Sequence, residues 1–186
     1  MTKSLGKNTL LNIVGQVIPL IIALFTIPVA LPYLGDARFG VLTVVWVIMG
    51  TASFFDLGMG RATTKFSADA IGRKEIKKIP SIVGCAKFVQ LVIGLLGSTV
   101  IITLAPLLSK GVLDIPSEYV SESQHVLILA GISIPIVLVT GSYRGLLEAS
   151  HRFDIINLFR IIFGSLTYIS PILAIAAGWK LIGVVG

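Results

Sequence analysis

The sequence predicts an all-α integral membrane protein, a polytopic bundle of transmembrane helices, and three observations carry that prediction. Of 186 residues, 55% are hydrophobic and only 13% are charged, about half the charge that soluble domains use to cover their surfaces. The uncharged residues fall into runs as long as a bilayer is thick, about 20 residues of helix for a core of roughly 30 Å. The lysines and arginines lie between those runs and are unevenly shared between the two sides.

The apolar runs give five spans, at 8–35, 39–60, 81–109, 124–147 and 157–179. The first is too long for the apolar core of a cleaved signal peptide and has no clear cleavage site before the next run, so it reads as a retained helix. The segment 61–80 reads as a basic cytoplasmic loop. After Lys180 comes a short apolar stub, 181–186. It reads as the start of a sixth helix, and the 186 residues as the N-terminal part of a longer chain.

Orientation follows from the basic residues, because cytoplasmic loops carry the excess. On one side lie Lys3, Lys7, Arg61, Lys65, Arg73, Lys74, Lys77, Lys78, Lys87, Arg144, Arg152 and Arg160; on the other lie Arg38, Lys110 and Lys180. Twelve against three places the N-terminus in the cytoplasm of a multi-pass protein of the cell (inner or plasma) membrane. The net charge of +6 is then explained by topology and contact with anionic membrane lipids, and no nucleic-acid partner is expected.

Polar residues inside the spans are the candidate functional groups, since lipid tolerates them only against another helix, water or a ligand. In the first span Asn12 and Gln16 share a face with Asn8, Gly15 and Pro19. They either hydrogen-bond a neighbouring helix or line a substrate path. The second span ends on Asp56-Leu-Gly-Met-Gly-Arg61. Asp56 is either an ion or proton site inside the membrane or a headgroup-level acid solvated beside Arg61. In the third span Lys87, Gln90, Gly94 and Gly97 form one stripe, and in the fifth Asn157, Arg160, Gly164, Thr167 and Pro171 form another. Lys87 and Arg160 each either snorkel to the headgroups or face a cavity, where a shared wall of the two cations would attract a phosphate or diphosphate. The fourth span carries the small-residue stripe Gly131, Pro135, Ser142 and Gly145, whose spacing invites close helix packing. Beyond it, Glu148 and Arg152 are spaced for an i, i+4 pair.

One cysteine and two distant histidines supply neither a disulfide nor a metal-ligand spacing, and no phosphate loop, HExxH or GxSxG is present. No metal, cofactor or catalytic residue is expected. The candidates are binding groups: Asn12, Gln16, Asp56, Arg61, Lys87, Gln90, Asn157 and Arg160.

Several of these pieces occur together in a recognisable order. Asn8-Thr-Leu-Leu-Asn12 is followed by Leu34-Gly-Asp-Ala-Arg-Phe-Gly40. Next come Phe55-Asp-Leu-Gly-Met-Gly-Arg61 and Gly145-Leu-Leu-Glu-Ala-Ser-His-Arg-Phe-Asp154, with Asn157 and Arg160 beyond. As a set this resembles the polysaccharide transporter family, the lipid-linked oligosaccharide (O-antigen type) flippases of the multidrug/oligosaccharidyl-lipid/polysaccharide exporter superfamily. The resemblance implies the N-terminal lobe of a two-lobe fold that works by alternating access around a cationic cavity. It implies a flippase that carries an undecaprenyl-diphosphate-linked oligosaccharide to the outer leaflet, with polysaccharide-assembly proteins as partners. The first span lacks the arginine of the related peptidoglycan-precursor flippases, so the cavity's cations would be Lys87, Arg160 and residues outside this chain. Two other readings share the composition: a cation-coupled multidrug exporter, which would lean on intramembrane acids such as Asp56, and a membrane-embedded glycan-assembly enzyme or subunit.

Overall fold

The computed structural model describes residues 2–112 and 115–176, and every regular element among them is helical. The elements are α1 (Thr2–Ala52), α2 (Met59–Gly72), α3 (Ile79–Leu107), α4 (Val120–Ala149) and α5 (Phe153–Ala176), with 3-10 turns at Ser53–Asp56 and Ile76–Lys78 and a π turn at Leu108–Val112. Among the described residues, four stretches are long and apolar enough to cross a membrane: Asn12–Thr51, Ile76–Gly111, Val120–Ala149 and Phe153–Leu173. The apolar stub at 181–186 lies outside the described residues.

The sequence reading separates spans one and two, whereas the structure runs them together as α1 and interrupts them at a single residue. Gly35 has φ 73° and ψ 164°, a combination essentially confined to glycine. The partners of the two arms show that the chain doubles back there. Gly15 lies against Asn157 of α5, while Trp46 meets Tyr168 of the same helix with ring centroids 5.3 Å apart. A straight helix would separate positions 15 and 46 by about 46 Å, yet 157 and 168 are only about 16 Å apart along α5. The arms therefore form a hairpin with no intervening loop.

The second departure lies at 53–80. Leu57 and Gly58 take positive φ values, which stops the helix after the 3-10 turn, and the Asp56 carboxylate accepts the Gly60 N–H at 2.8 Å to start a new one. The connection expected as a loop at 61–80 is thus largely the helix α2. Its mean polarity is too high for a span, but Thr63, Ser67 and Ala70 are buried against the bundle.

Helix α4 is the centre of the bundle and packs against α1, α2 and α3, while α5 lies mainly along α1. Small residues set the close approaches, as their spacing predicts. A Cβ on Gly94 of α3 would come within 2.6 Å of Pro135 Cα, and one on Gly145 within 2.5 Å of the Gly60 carbonyl oxygen. The apolar core gathers at the reversal end of α1, where Ala30, Leu34, Val41, Leu42 and Val45 meet Ala105, Val126, Leu127 and Ala130. Arg38, just past the reversal, pairs with Glu122 at 3.1 Å and lies 4.8 Å from the Tyr119 ring centroid, tying the hairpin to the start of α4. Leu20, Phe25, Leu96, Ile136 and Phe163 face outward, as lipid-facing flanks do.

Candidate functional site

Six of the candidate side chains, Asn12, Asp56, Arg61, Gln90, Asn157 and Arg160, lie toward the end of the bundle opposite that core, and the hydrogen bonds there form two groups. In the first, the Ser142 hydroxyl of α4 donates to Gln90 Oε1, Gln90 Nε2 donates to Asp56 Oδ1, and Asp56 Oδ2 accepts from Gly60 N. Gln90 and Ser142 are fully buried. One amide thereby joins α3, α4 and the start of α2, and it does so because Gly141 has no side chain: a Cβ there would meet Gln90 Nε2 at 3.0 Å and Asp56 Oδ1 at 3.3 Å. Asp56 is held by N–H donors rather than by Arg61.

Beside this network, a cleft of about 380 Å³ opens between α2 and α4, its walls including Asp56, Gly60, Arg61, Thr140, Gly141, Arg144 and Glu148. Glu148 is its hub. Arg144 Nε donates to Glu148 Oε1 at 2.9 Å, and the Thr64 hydroxyl donates to Oε2 at 3.3 Å. The i, i+4 pair expected for Glu148 with Arg152 does not form, because α4 ends at Ala149 and His151 turns left-handed. Arg152 lies past the helix and pairs with Asp154 at 3.2 Å, leaving Glu148 to Arg144 one turn back.

The second group fastens α5 to α1. Asn157 Nδ2 donates to Asn12 Oδ1 at 2.9 Å and to the Phe153 carbonyl at 2.8 Å, and Arg160 Nη1 donates to Asn157 Oδ1 at 3.2 Å. Gly15 admits Asn157, whose Oδ1 would lie 2.5 Å from a Cβ at that position. Arg160 is only part-exposed and is close enough to Arg144 and Glu148 to interact with both charges.

Of the eight sequence candidates, the structure brings Asp56 and Arg61 to the wall of the cleft, ties the buried Gln90 to Asp56 behind it and joins Asn12, Asn157 and Arg160 to one another. Gln16 is exposed on α1. Lys87 does not meet Arg160: its Nζ donates to the Tyr143 hydroxyl at 3.0 Å, on α4's face toward α3. The shared wall expected of Lys87 and Arg160 does not form; the cations that line the cleft are Arg61 and Arg144, the second of which the sequence reading did not single out as a binding group. Its spacing to Glu148, next to the Gly141–Gly145 pair, is the signal that could have found it. Among the described residues, no group of three or more His, Cys, Asp or Glu side chains is placed to hold a metal ion.

Long apolar helices with outward-facing aliphatic residues define a multi-pass membrane protein, and a charged cleft opens beside one of them. Residues 5–186 match the family described as "Polysaccharide biosynthesis protein", and the chain belongs to that family, as the order of its motifs implied. It is similar to a Shigella flexneri protein named "Putative O-antigen transporter", 26% identical over 165 residues, which is 87% of this chain and 38% of that protein. The chain therefore spans about two fifths of that relative's length. No solved structure matches.

Proposed function

We propose that the chain is part of a flippase that moves an undecaprenyl-diphosphate-linked oligosaccharide from the cytoplasmic to the outer leaflet for polysaccharide or O-antigen synthesis. The observation that carries this reading is the cleft between α2 and α4, with Arg61 and Arg144 in its wall and Arg160 within electrostatic reach, in a chain of a polysaccharide-biosynthesis family. Guanidinium groups suit a diphosphate because each offers a planar fork of donors to its oxygens. Glu148 pairs with Arg144 on the open side of the cleft, where an ion pair is easily exchanged, so an arriving diphosphate can take the carboxylate's place.

In this reading α1 contributes two crossings, one per arm, so that α1, α3, α4 and α5 make five. The N-terminus and the cleft lie on the cytoplasmic side of the inner membrane, as the basic residues direct. Transport rather than catalysis is the role, with movement of this lobe against another providing alternating access. Deleting the gene in its host should abolish surface polysaccharide and accumulate diphosphate-linked repeat units on the cytoplasmic leaflet. Normal surface polysaccharide with no accumulation would overturn the proposal.

A further inference from the structure

A second cleft, of about 330 Å³, lies between α2 and α3, and it differs in kind from the charged one. Its walls are almost entirely apolar, formed by Met59, Ala62 and Phe66 of α2 and Ile82, Cys85 and Ala86 of α3. The two helices are joined by the tight turn 73–78, so the cleft has a closed polar end and an apolar end. Lys78, Ser81, Ile82 and Cys85 fall at i, i+3, i+4 and i+7 on one face. Cys85 therefore lies about 10 Å along the helix from Lys78. Arg73 stands two turns beyond Phe66 on α2, and Lys65 reaches back to within 5.9 Å of the Phe66 ring centroid.

The charge at that end is unbalanced. From 61 to 78 the chain has six bases, against the acids Asp69 and Glu75. Arg73 pairs with Asp69 and Lys78 with Glu75, both in exposed positions, where such pairs are screened and easily exchanged. Lys74 and Lys77 form no ion pair among the described residues. Phe66 and Ile76 are exposed beside them.

We propose that the α2–α3 cleft is a binding site for one anionic phospholipid, its phosphate among the bases of the 73–78 turn and an acyl chain along Phe66, Ile82 and Cys85. The match is one of charge and depth together: cations lie at the turn that closes one end and hydrocarbon about 10 Å along the helix from it, the layout of a lipid in a leaflet. Lipid bound there would brace α2, which rests on α4 through Gly145 and Thr64 and forms one wall of the charged cleft.

Brominated lipids test this directly. With Trp46→Phe and Trp179→Phe removing both native tryptophans, Phe66→Trp places one fluorophore in the cleft of the reconstituted chain. Dibrominated phosphatidylglycerol should quench it more strongly than dibrominated phosphatidylcholine at equal mole fraction. Lys78→Gln should reduce that preference about fivefold, the attraction of one base to an anionic leaflet, and Lys77→Gln should act likewise. Native mass spectrometry of the unsubstituted chain, released from mixed vesicles, reads the same preference without altered tryptophans and should retain phosphatidylglycerol. Equal quenching by the two lipids, or none, would overturn the proposal. So would displacement of both by a polyprenyl diphosphate, which would assign the cleft to that lipid. No glycan enters the assay, so its outcome is separate from that of the transport reading.

Discussion

Arg160 owes its position to a neighbour rather than to the membrane surface. Its guanidinium donates to Asn157, which is itself clamped to Asn12, so one of its nitrogens is tied to the contact between α5 and α1. In the flippase reading, Arg160→Ala should abolish polysaccharide export at normal expression, because no short neutral side chain supplies its charge. Arg160→Lys should retain part of the activity, keeping charge and losing the fork of donors. Export and membrane abundance measured together check both, and normal glycan display in the Ala variant would remove Arg160 from the site. Gln90 acts differently, as the amide between Asp56 and Ser142. Gln90→Leu should lower stability by about 1 kcal/mol, two interhelical bonds at about 0.6 kcal/mol each, readable as a fall in thermal midpoint in detergent.

The long spans were legible in the sequence because lipid imposes a length on every apolar helix. Stripes such as Gln90 with Gly94, or Gly131 with Ser142, were legible because buried faces repeat at helical spacing. Pairings across helices were not: nothing local to Asp56 names Gln90, and nothing local to Asn12 names Asn157, since their contact depends on how four helices stack. Helix α2 was hidden for another reason. Its apolar stripe of Met59, Ala62 and Phe66 is short and surrounded by charge, so it resembles a connection until Gly60 and Thr63 are seen against Gly145. That contact gives a prediction at the same scale. Gly145→Ala should destabilise the α2–α4 pair by about 1–3 kcal/mol, because the intruding carbon meets a backbone carbonyl that cannot rotate away. A lowered thermal midpoint and faster proteolysis at 53–60 would report it, whereas Gly84→Ala, with open space around its Cβ position, should be neutral.

At the scale of the whole chain, the apolar core and the Arg38–Glu122 pair lie at one end and the polar networks at the other. In the proposed topology the polar end faces the cytoplasm, as the twelve-to-three division of basic residues directs, and this can be mapped chemically. With Cys85 replaced by alanine, cysteines at the exposed positions Ala68 and Ser150 should react with impermeant maleimide only from the cytoplasm, and those at Gly111 and Ser117 only from outside. Inverted labelling would reverse the proposed topology. Gly35 bears on how such a topology is reached during synthesis. Because the hairpin reverses at one residue, insertion of its two arms requires the translocation machinery to pass almost no polar loop, only the Asp36 and Arg38 side chains beside the turn. The arms can enter the bilayer as a pair, oriented by Lys3 and Lys7 before the basic α2 leaves the ribosome. Gly35→Ala, strained by about 1–3 kcal/mol at that φ and ψ, should then show its defect in the yield of correctly inserted nascent chain, before any loss of transport could be measured.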